Sequence, residues 1–214
     1  MKATRHQVGA SPEPGAAPRV GVLGGSFDPP HWGHLLLAQD AREQFALDRV
    51  LLIPCRQSPH KPDRRPAAGK HRLAMLEQAV QGVPGLEVCD LELRRRGVSY
   101  TVATLDRLHA LHPETRWFWI IGADMLPELH AWKDVGRLLT LCDVIVCERP
   151  GAAATLPPHL PPDRAQAVMR HRMAGRAVAL SSSEIRARVR AGRTIRFMVP
   201  PVVEDYILRH RLYR

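Results

Sequence analysis

Two histidines three residues apart follow a short apolar run near the start of the chain. Residues 24–34 read G-G-S-F-D-P-P-H-W-G-H, and His31 and His34 stand where an amphipathic, helix-like pattern begins. Side chains three apart on a helix share a face, and the unpaired N–H groups of a helix start attract anions. Both imidazoles can therefore point at one anion. The preceding Gly24-Gly25 pair carries no side chain to obstruct the approach of the backbone to that anion, so the pattern predicts a phosphate site.

Three other interpretations of this segment fit less well. The glycines at 21, 24 and 25 do not have the G-x-G-x-x-G spacing of a dinucleotide fingerprint, and no Gly-Lys-Ser/Thr follows, as a Walker loop requires. A zinc site needs a third and a fourth ligand, and no nearby carboxylate–histidine pattern supplies them convincingly. Phosphate binding remains the favoured interpretation.

A second group of polar residues follows a late apolar run. Residues 180–186 read L-S-S-S-E-I-R, so Ser183 and its neighbours can cap a helix while Arg186 projects from the first turn of that helix. Hydroxyls, unpaired amides and a guanidinium in one place can hold phosphate oxygens. Alone, this would be better read as an ordinary capped helix with a surface arginine; together with the histidine motif, it predicts a second phosphate cradle.

Short apolar runs alternate with helical patterns along the chain, which predicts an α/β fold, a Rossmann-like doubly wound parallel sheet. Ligands of such sheets bind beyond the carboxyl ends of the strands, where both polar groups stand. The predicted strands are 19–23, 50–53, 86–93, 117–121, 143–147 and 177–180. The predicted helices are 32–47, 70–80, 100–111, one ending at 138–139, a polar one after 162, 183–191 and 202–209.

The composition is that of a globular protein with an anionic partner or a generally basic surface. The 214 residues carry a formal net charge of +10, 45% of them are hydrophobic, and no apolar stretch approaches the length of a membrane span. Residues 1–18 are rich in Ala, Gly and Pro without an apolar core, which predicts a disordered tail before a single domain over 19–214. Four cysteines without C-x-x-C spacing indicate buried, reduced thiols and a cytoplasmic location.

The two polar motifs resemble those of a known superfamily. The H-x-G-H element is similar to the signature of the nucleotidyltransferases, and the longer string at 24–34 resembles the nicotinate- and nicotinamide-nucleotide adenylyltransferases in particular. The segment 180–186 resembles their I-S-S-T-x-I-R element. Further elements occur in the same order as in bacterial members: P-H-K at 59–61, G-V-S-Y-T at 97–101, I-G-A-D at 121–124 and L-H-A-W-K at 129–133.

The resemblance implies transfer of the adenylyl group of ATP to nicotinic acid mononucleotide, with Mg²⁺ bound mainly through the ATP phosphates and no metal ligand required from the protein. It implies catalytic roles for His31, His34 and Arg186. The implied ATP-binding residues are Gly24, Gly25, Ser26, Phe27, His31, His34, Gly122, Asp124, Ser182, Ser183 and Arg186. Those implied to bind the mononucleotide are Lys61, Ser99, Tyr100, Thr101 and Trp132.

Other functions remain open at this stage. A sister enzyme could use nicotinamide mononucleotide or phosphopantetheine as the acceptor, and the S-Y-T turn with Trp132 favours the nicotinate form. Two residues are also open to structural roles: Asp124 as a helix cap, and Trp132 as part of the core. A basic nucleic-acid-binding protein is the alternative from another class, but the chain has no helix-turn-helix, zinc-finger or aromatic RNA-binding signature. We therefore expect an enzyme with no nucleic-acid partner.

Overall fold

Apolar, β-branched and aromatic runs form the centre of the protein in a computed structural model, which describes residues 16–59, 65–148, 154–176 and 178–214. The strands in these ranges are β1 Arg19–Gly25, β2 Arg49–Pro54, β3 Leu86–Val88, β4 Arg116–Gly122, β5 Asp143–Glu148 and β6 His171–Ala174. They pair in parallel in the order β3-β2-β1-β4-β5-β6. This is the strand order of a Rossmann-like doubly wound sheet, as predicted.

Helices cover both faces of the sheet because its strands are apolar on both sides. The α-helices are α1 Trp32–Gln44, α2 Gly69–Val80, α3 Leu91–Arg94, α4 Thr101–Leu111, α5 Val135–Leu141, α6 Pro162–Val168, α7 Ser182–Arg190 and α8 Pro201–Arg209. A 3-10 helix covers Ala123–Ala131. Along β4, Trp117, Trp119 and Ile121 pack into one core cluster, whereas Phe118 and Ile120 pack into the other.

A third core cluster joins the C-terminal elements to α2. Met75 of α2 packs with Ile185 of α7, with Val203 and Ile207 of α8, and with Tyr206, and each of these side chains is at most 9% exposed. The end of the chain is thereby held against the same side of the molecule as α2 and α7. This packing matters for the site, because it brings the last residues near the loop that follows β1.

One predicted strand was too long and another was wrong. The run 86–93 forms a strand only over β3, because α3 begins at Leu91 after its N-cap residue Asp90, and β2, to which β3 pairs, ends at Pro54. The edge strand beside β5 is β6, and 178–180, the described part of the predicted strand 177–180, is not a strand. With one strand neighbour and only Met173 buried, β6 lacks the apolar pattern by which strands are predicted, whereas Val178 and Leu180 lie along a cleft as irregular backbone.

The remaining predictions on organisation have mixed outcomes. The four cysteines are free thiols, of which Cys55 and Cys147 are buried while Cys89 and Cys142 are partly exposed. In the described ranges, no helix is long and apolar enough to cross a membrane. Most of the predicted tail at 1–18 lies outside the described residues, so the tail and the start of the domain at 19 remain predictions.

Candidate active site

A cleft of about 720 Å³ opens at the carboxyl ends of β1 and β4, where the strand order reverses. It brings together most of the residues predicted from the two phosphate motifs and from the acceptor motifs. The predicted residues that line it are Gly24, Gly25, Ser26, Phe27, His31, His34, Ser99, Thr101, Gly122, Asp124, Trp132, Ser182 and Ser183. Segments far apart in the chain therefore meet at one edge of the sheet.

The loop between β1 and α1 has little conformational freedom. Phe27 has a φ of 47°, in the left-handed region that non-glycine residues rarely adopt, and its side chain is 1% exposed. Such backbone strain persists only where the surroundings fix it, and here the buried ring meets His34 edge-on at 4.9 Å between centroids. At Gly24, a Cβ atom would lie 2.9 Å from Cζ2 of Trp119, so this position has no room for a side chain.

His31 and His34 form a stacked pair at the start of α1. Their ring centroids lie 3.7 Å apart, and the backbone N–H of His31 donates to Nδ1 of His34 at 3.2 Å. Burial, and then the neighbouring His31, hold the pKa of His34 well below its usual range, although part of the residue faces the cleft. His34 is therefore neutral near pH 7. Because its Nδ1 accepts a hydrogen bond, its proton lies on Nε2, where it is available to a phosphate oxygen.

The second phosphate motif contacts the first directly. Oγ of Ser182 donates to the carbonyl of Pro29 at 2.9 Å, and Nη1 of Arg186 donates to the carbonyl of Asp28 at 2.7 Å. Nη2 of Arg186 also donates to Oγ of Ser183 at 3.0 Å. The helix cap differs in detail from the prediction, since Ser181 rather than Ser183 accepts the backbone N–H of Glu184 at the start of α7. These hydrogen bonds therefore join the start of α7 to the loop that leads into α1.

Arg186 lies behind the phosphate loop. It is not among the cleft-lining residues of the described chain, and its side chain is 14% exposed. Arg72 of α2, which is 1% exposed, has a similar place: its guanidinium donates to the carbonyls of Ser26 at 2.7 Å and Ala67 at 2.8 Å. Two arginines therefore bind carbonyl oxygens of the loop, oxygens that would repel a phosphate if they faced it.

The predicted acceptor residues are only partly brought together. Ser99, Thr101 and Trp132 line the cleft, while the ring of Tyr100 lies 4.3 Å from Nζ of Lys133 and outside the cleft lining of the described residues. Trp132 is partly buried and also packs against the core, so it has both of the expected surroundings. Lys61 lies outside the described residues.

The turn before α4 is tied to the segment after β2. The backbone N–H of Arg56 donates to Oγ of Ser99 at 3.0 Å, and the N–H of Ser99 donates to the carbonyl of Gln57 at 2.9 Å. Glu92, 4% exposed, accepts from Oγ1 of Thr104 at 2.6 Å. Burial raises the pKa of Glu92, and the hydrogen bonds from Thr104 and Ser99 oppose this rise.

Several residues of the cleft have no recognisable signal in the sequence. Arg176 makes a two-pronged contact with the buried carboxylate of Asp40, with nitrogen–oxygen distances of 2.8 Å at both nitrogens. These residues are 136 positions apart, and neither belongs to a motif. Trp119 could have been suspected, because it lies on the strand that ends at Gly122. Among the described residues, no group of three His, Cys, Asp or Glu side chains could hold a metal ion.

Comparisons with known proteins agree with this arrangement. The cytidylyltransferase-like family model matches residues 22–188. A protein of Opitutus terrae named probable nicotinate-nucleotide adenylyltransferase is 43% identical over 92% of this chain and 98% of its own length. A protein of the same name from Salinibacter ruber is 44% identical over 91% of this chain and 97% of its own.

The chain belongs to the nicotinate-nucleotide adenylyltransferase family. The fold is also that of a solved Plasmodium falciparum nicotinic acid mononucleotide adenylyltransferase complexed with NaAD. That structure has a TM-score of 0.74 and 19% sequence identity, and it covers 92% of this chain and 97% of its own. At that identity the likeness concerns the fold alone. The predicted fold class and family are confirmed.

Proposed function

We infer that this chain transfers the adenylyl group of ATP to nicotinic acid mononucleotide, giving nicotinic acid adenine dinucleotide and pyrophosphate in NAD biosynthesis. The observation that carries this inference is the identity of more than 40% to relatives named for the reaction, over nine-tenths of the chain. The joined phosphate motifs at the carboxyl ends of β1 and β4 support it, because they offer amides, hydroxyls and imidazoles to a polyphosphate.

The reaction needs no general base from the protein. The 5′-phosphate of the mononucleotide has a second pKa of about 6, so it is largely ionised at neutral pH and can attack the α-phosphorus of ATP in line. Pyrophosphate leaves with the electrons of the broken bond. Catalysis then consists of alignment and stabilisation of the charge that develops on phosphate oxygens.

The geometry supports a division of roles in this step. The Nε2–H of His34 and the amides of the loop after Gly25 are assigned to the ATP phosphates, because these residues and His31 line the cleft. Ser182 and Ser183 line the cleft beside that loop and are assigned to the leaving phosphates, and Arg186 adds positive charge from behind the loop. Asp124, an exposed carboxylate lining the cleft after β4, suits the vicinal hydroxyls of a ribose.

We propose that Mg²⁺ enters with ATP and is held mainly by phosphate oxygens. This ion keeps several waters and commonly takes one or two carboxylates together with substrate phosphates. The donor set of the cleft fits such binding, since Asp40 is engaged by Arg176 and Glu92 by Thr104, whereas Asp124 is exposed. Mg²⁺ supplies positive charge at the phosphates, and the protein residues orient them.

Selectivity for the nicotinate carboxylate is assigned to the start of α4. Thr101 is the first residue of that helix and, like Trp132, lines the cleft, so the amides of the helix start can receive a carboxylate in a cleft that also offers an aromatic ring. A nicotinamide group lacks that charge. A cytoplasmic location and the absence of a nucleic-acid partner remain predictions.

The assay that tests this function offers three acceptors in parallel. Purified protein with ATP and Mg²⁺ receives nicotinic acid mononucleotide, nicotinamide mononucleotide or phosphopantetheine, and both pyrophosphate and adenylylated product are followed. We expect a strong preference for the nicotinate form. A preference for another acceptor would overturn the substrate, and silence with all three from folded protein would overturn the activity.

A further inference from the structure

Asp28 is a buried carboxylate within the loop that holds the phosphates. It is 1% exposed, and its Oδ1 accepts the backbone N–H of Ala67 at 3.0 Å and the hydroxyl of Tyr213 at 2.9 Å. Its Oδ2 lies 3.7 Å from Nη1 of Arg186. A buried charge is stable only with such partners. We call these four residues, Asp28, Ala67, Arg186 and Tyr213, the Asp28 cluster.

Tyr213 reaches this cluster from the end of the chain. It is the second-last of 214 residues, and it packs with Leu212 against the core cluster that joins α2, α7 and α8. Burial, and then the neighbouring Asp28, raise the pKa of the Tyr213 hydroxyl. The hydroxyl therefore stays protonated and remains a donor at every pH at which the enzyme would be assayed.

The cluster connects Tyr213 to groups assigned to the phosphates. Nη1 of Arg186 donates to the carbonyl of Asp28 at 2.7 Å, and its Nη2 donates to Ser183 of the cleft at 3.0 Å. The carboxylate of Asp28 is also close enough to the same guanidinium to attract it electrostatically. When an acceptor loses one donor, its charge is less compensated, so the orientation of Asp28 and its attraction for Arg186 both change.

We propose that Tyr213 is a positioning residue for adenylyl transfer: its hydroxyl fixes the Asp28 carboxylate, and thereby the phosphate loop and Arg186, in the arrangement that binds ATP. This proposal rests on the proposed function in that it takes the cleft to be an ATP site. By this proposal, Tyr213 supports the part of the site that binds ATP. Tyr213 itself does not line the cleft.

The test is Tyr213→Phe, with Tyr206→Phe as the matched control. Each change removes one tyrosine hydroxyl from the same part of the molecule, and the hydroxyl of Tyr206 bonds Nδ1 of His71 at 3.0 Å. We expect Tyr213→Phe to raise the KM for ATP about fivefold, within the range for one lost hydrogen bond, with little change in the KM for the acceptor. Tyr206→Phe should leave both constants near wild type. Equal loss of thermal stability in the two variants, with an unchanged KM for ATP, would overturn the proposal.

A double-mutant cycle tests whether Tyr213 acts through Asp28. In an Asp28→Asn background, adding Tyr213→Phe should change the KM for ATP less than twofold, because the acceptor charge is already gone. Full additivity of the two changes would contradict the proposal. If Asp28→Asn does not fold, the cycle is run with Arg186→Lys, where coupling is again expected and additivity again contradicts it.

A direct titration separates this proposal from the proposed function. Binding of ATP with Mg²⁺ is measured by calorimetry without any acceptor, so the result does not depend on which mononucleotide is used. About fivefold weaker binding by Tyr213→Phe than by Tyr206→Phe supports the positioning role, even if the acceptor assay overturns nicotinic acid mononucleotide. Equal binding by the two variants overturns the role, whatever the acceptor assay shows.

Discussion

The two halves of the cleft are built differently. On the side of the phosphate motifs, the buried charged groups of Asp28 and Arg72 hold the loop after β1 to α2, and Arg186 holds it to α7. On the acceptor side, Ser99, Thr101 and Trp132 are all partly exposed, and the turn before α4 is held by two hydrogen bonds to the segment after β2 and by the buried carboxylate of Glu92. We propose that the chemistry common to adenylyl transfer lies in the first half and that the choice of acceptor lies in the second.

This difference has a physical reason. Stabilising charge on phosphate oxygens requires donors whose positions do not adjust during the reaction, and buried ion pairs and strained backbone provide such fixed donors. An acceptor ring binds through area and a few polar contacts, which tolerate more adjustment. Substitutions in the first half should therefore affect turnover or ATP binding, and those in the second should affect acceptor binding.

The largest expected effect is that of His34→Ala. Removing a donor to the phosphates should lower turnover by at least about tenfold, since one such donor is commonly worth more than that. Pyrophosphate release with saturating substrates measures it, and His130→Ala is the control, since His130 is exposed and does not line the cleft. Near-normal turnover by the folded His34 variant would contradict the proposal that this half of the cleft supplies fixed donors to the phosphates.

Arg186→Lys should be the next largest. Lysine keeps the charge but cannot donate in the same geometry to both the Asp28 carbonyl and Ser183, so the KM for ATP should rise roughly tenfold. Arg188→Lys serves as the control, because the guanidinium of Arg188 bonds only the carbonyl of Thr194 among the described contacts. If the acceptor KM rises as much as that for ATP, the proposed separation of the halves does not hold.

Trp132→Ala tests the acceptor half. Loss of the aromatic face should raise the KM for nicotinic acid mononucleotide about fivefold to tenfold and leave the KM for ATP nearly unchanged. Phe197, 88% exposed, provides the control substitution Phe197→Ala. A larger rise in the KM for ATP than in the KM for the acceptor would contradict the assignment of Trp132 to the acceptor half.

The pH dependence of kcat/KM distinguishes a neutral from a charged His34. Because burial and His31 lower the pKa of His34, it loses its proton well below its usual range and stays neutral from about pH 6.5 upward. Wild type and His34→Asn should therefore show the same acidic limb, set by the substrate phosphate with a second pKa of about 6. A fall in the kcat/KM of the wild type alone as pH rises through about 6.5 would show that a charged His34 is required.

Glu92→Gln should have the smallest effect, and on stability. Burial raises the pKa of Glu92 in the folded state, so its ionised form is disfavoured relative to the unfolded chain and the cost disappears as pH falls through that raised pKa. The melting temperature of the wild type should therefore rise relative to that of the variant as the pH is lowered from 8 to 4.5. Absence of this trend for Glu92→Gln would mean that burial does not penalise that charge.

Much of the fold could be predicted from local patterns. The apolar runs of β1, β2, β4 and β5 and the spacing of α1, α2 and α4 gave these elements within a few residues, because strands buried on both faces are continuously apolar. The edge strands could not be predicted as well. β6 has one neighbour and one buried side chain, so its pattern is weak, and β3 stops where α3 begins.

By itself, the sequence determined which groups are available, since His31 and His34 after two glycines and three serines with Arg186 predict phosphate binding at the starts of two helices. The tertiary structure alone decided how those groups are held. The contacts of Tyr213 and Arg186 with Asp28 and of Arg176 with Asp40 join positions separated by more than a hundred residues. Such pairs leave no local spacing in the sequence, because they exist only once the sheet and its helices have brought distant segments of the chain together.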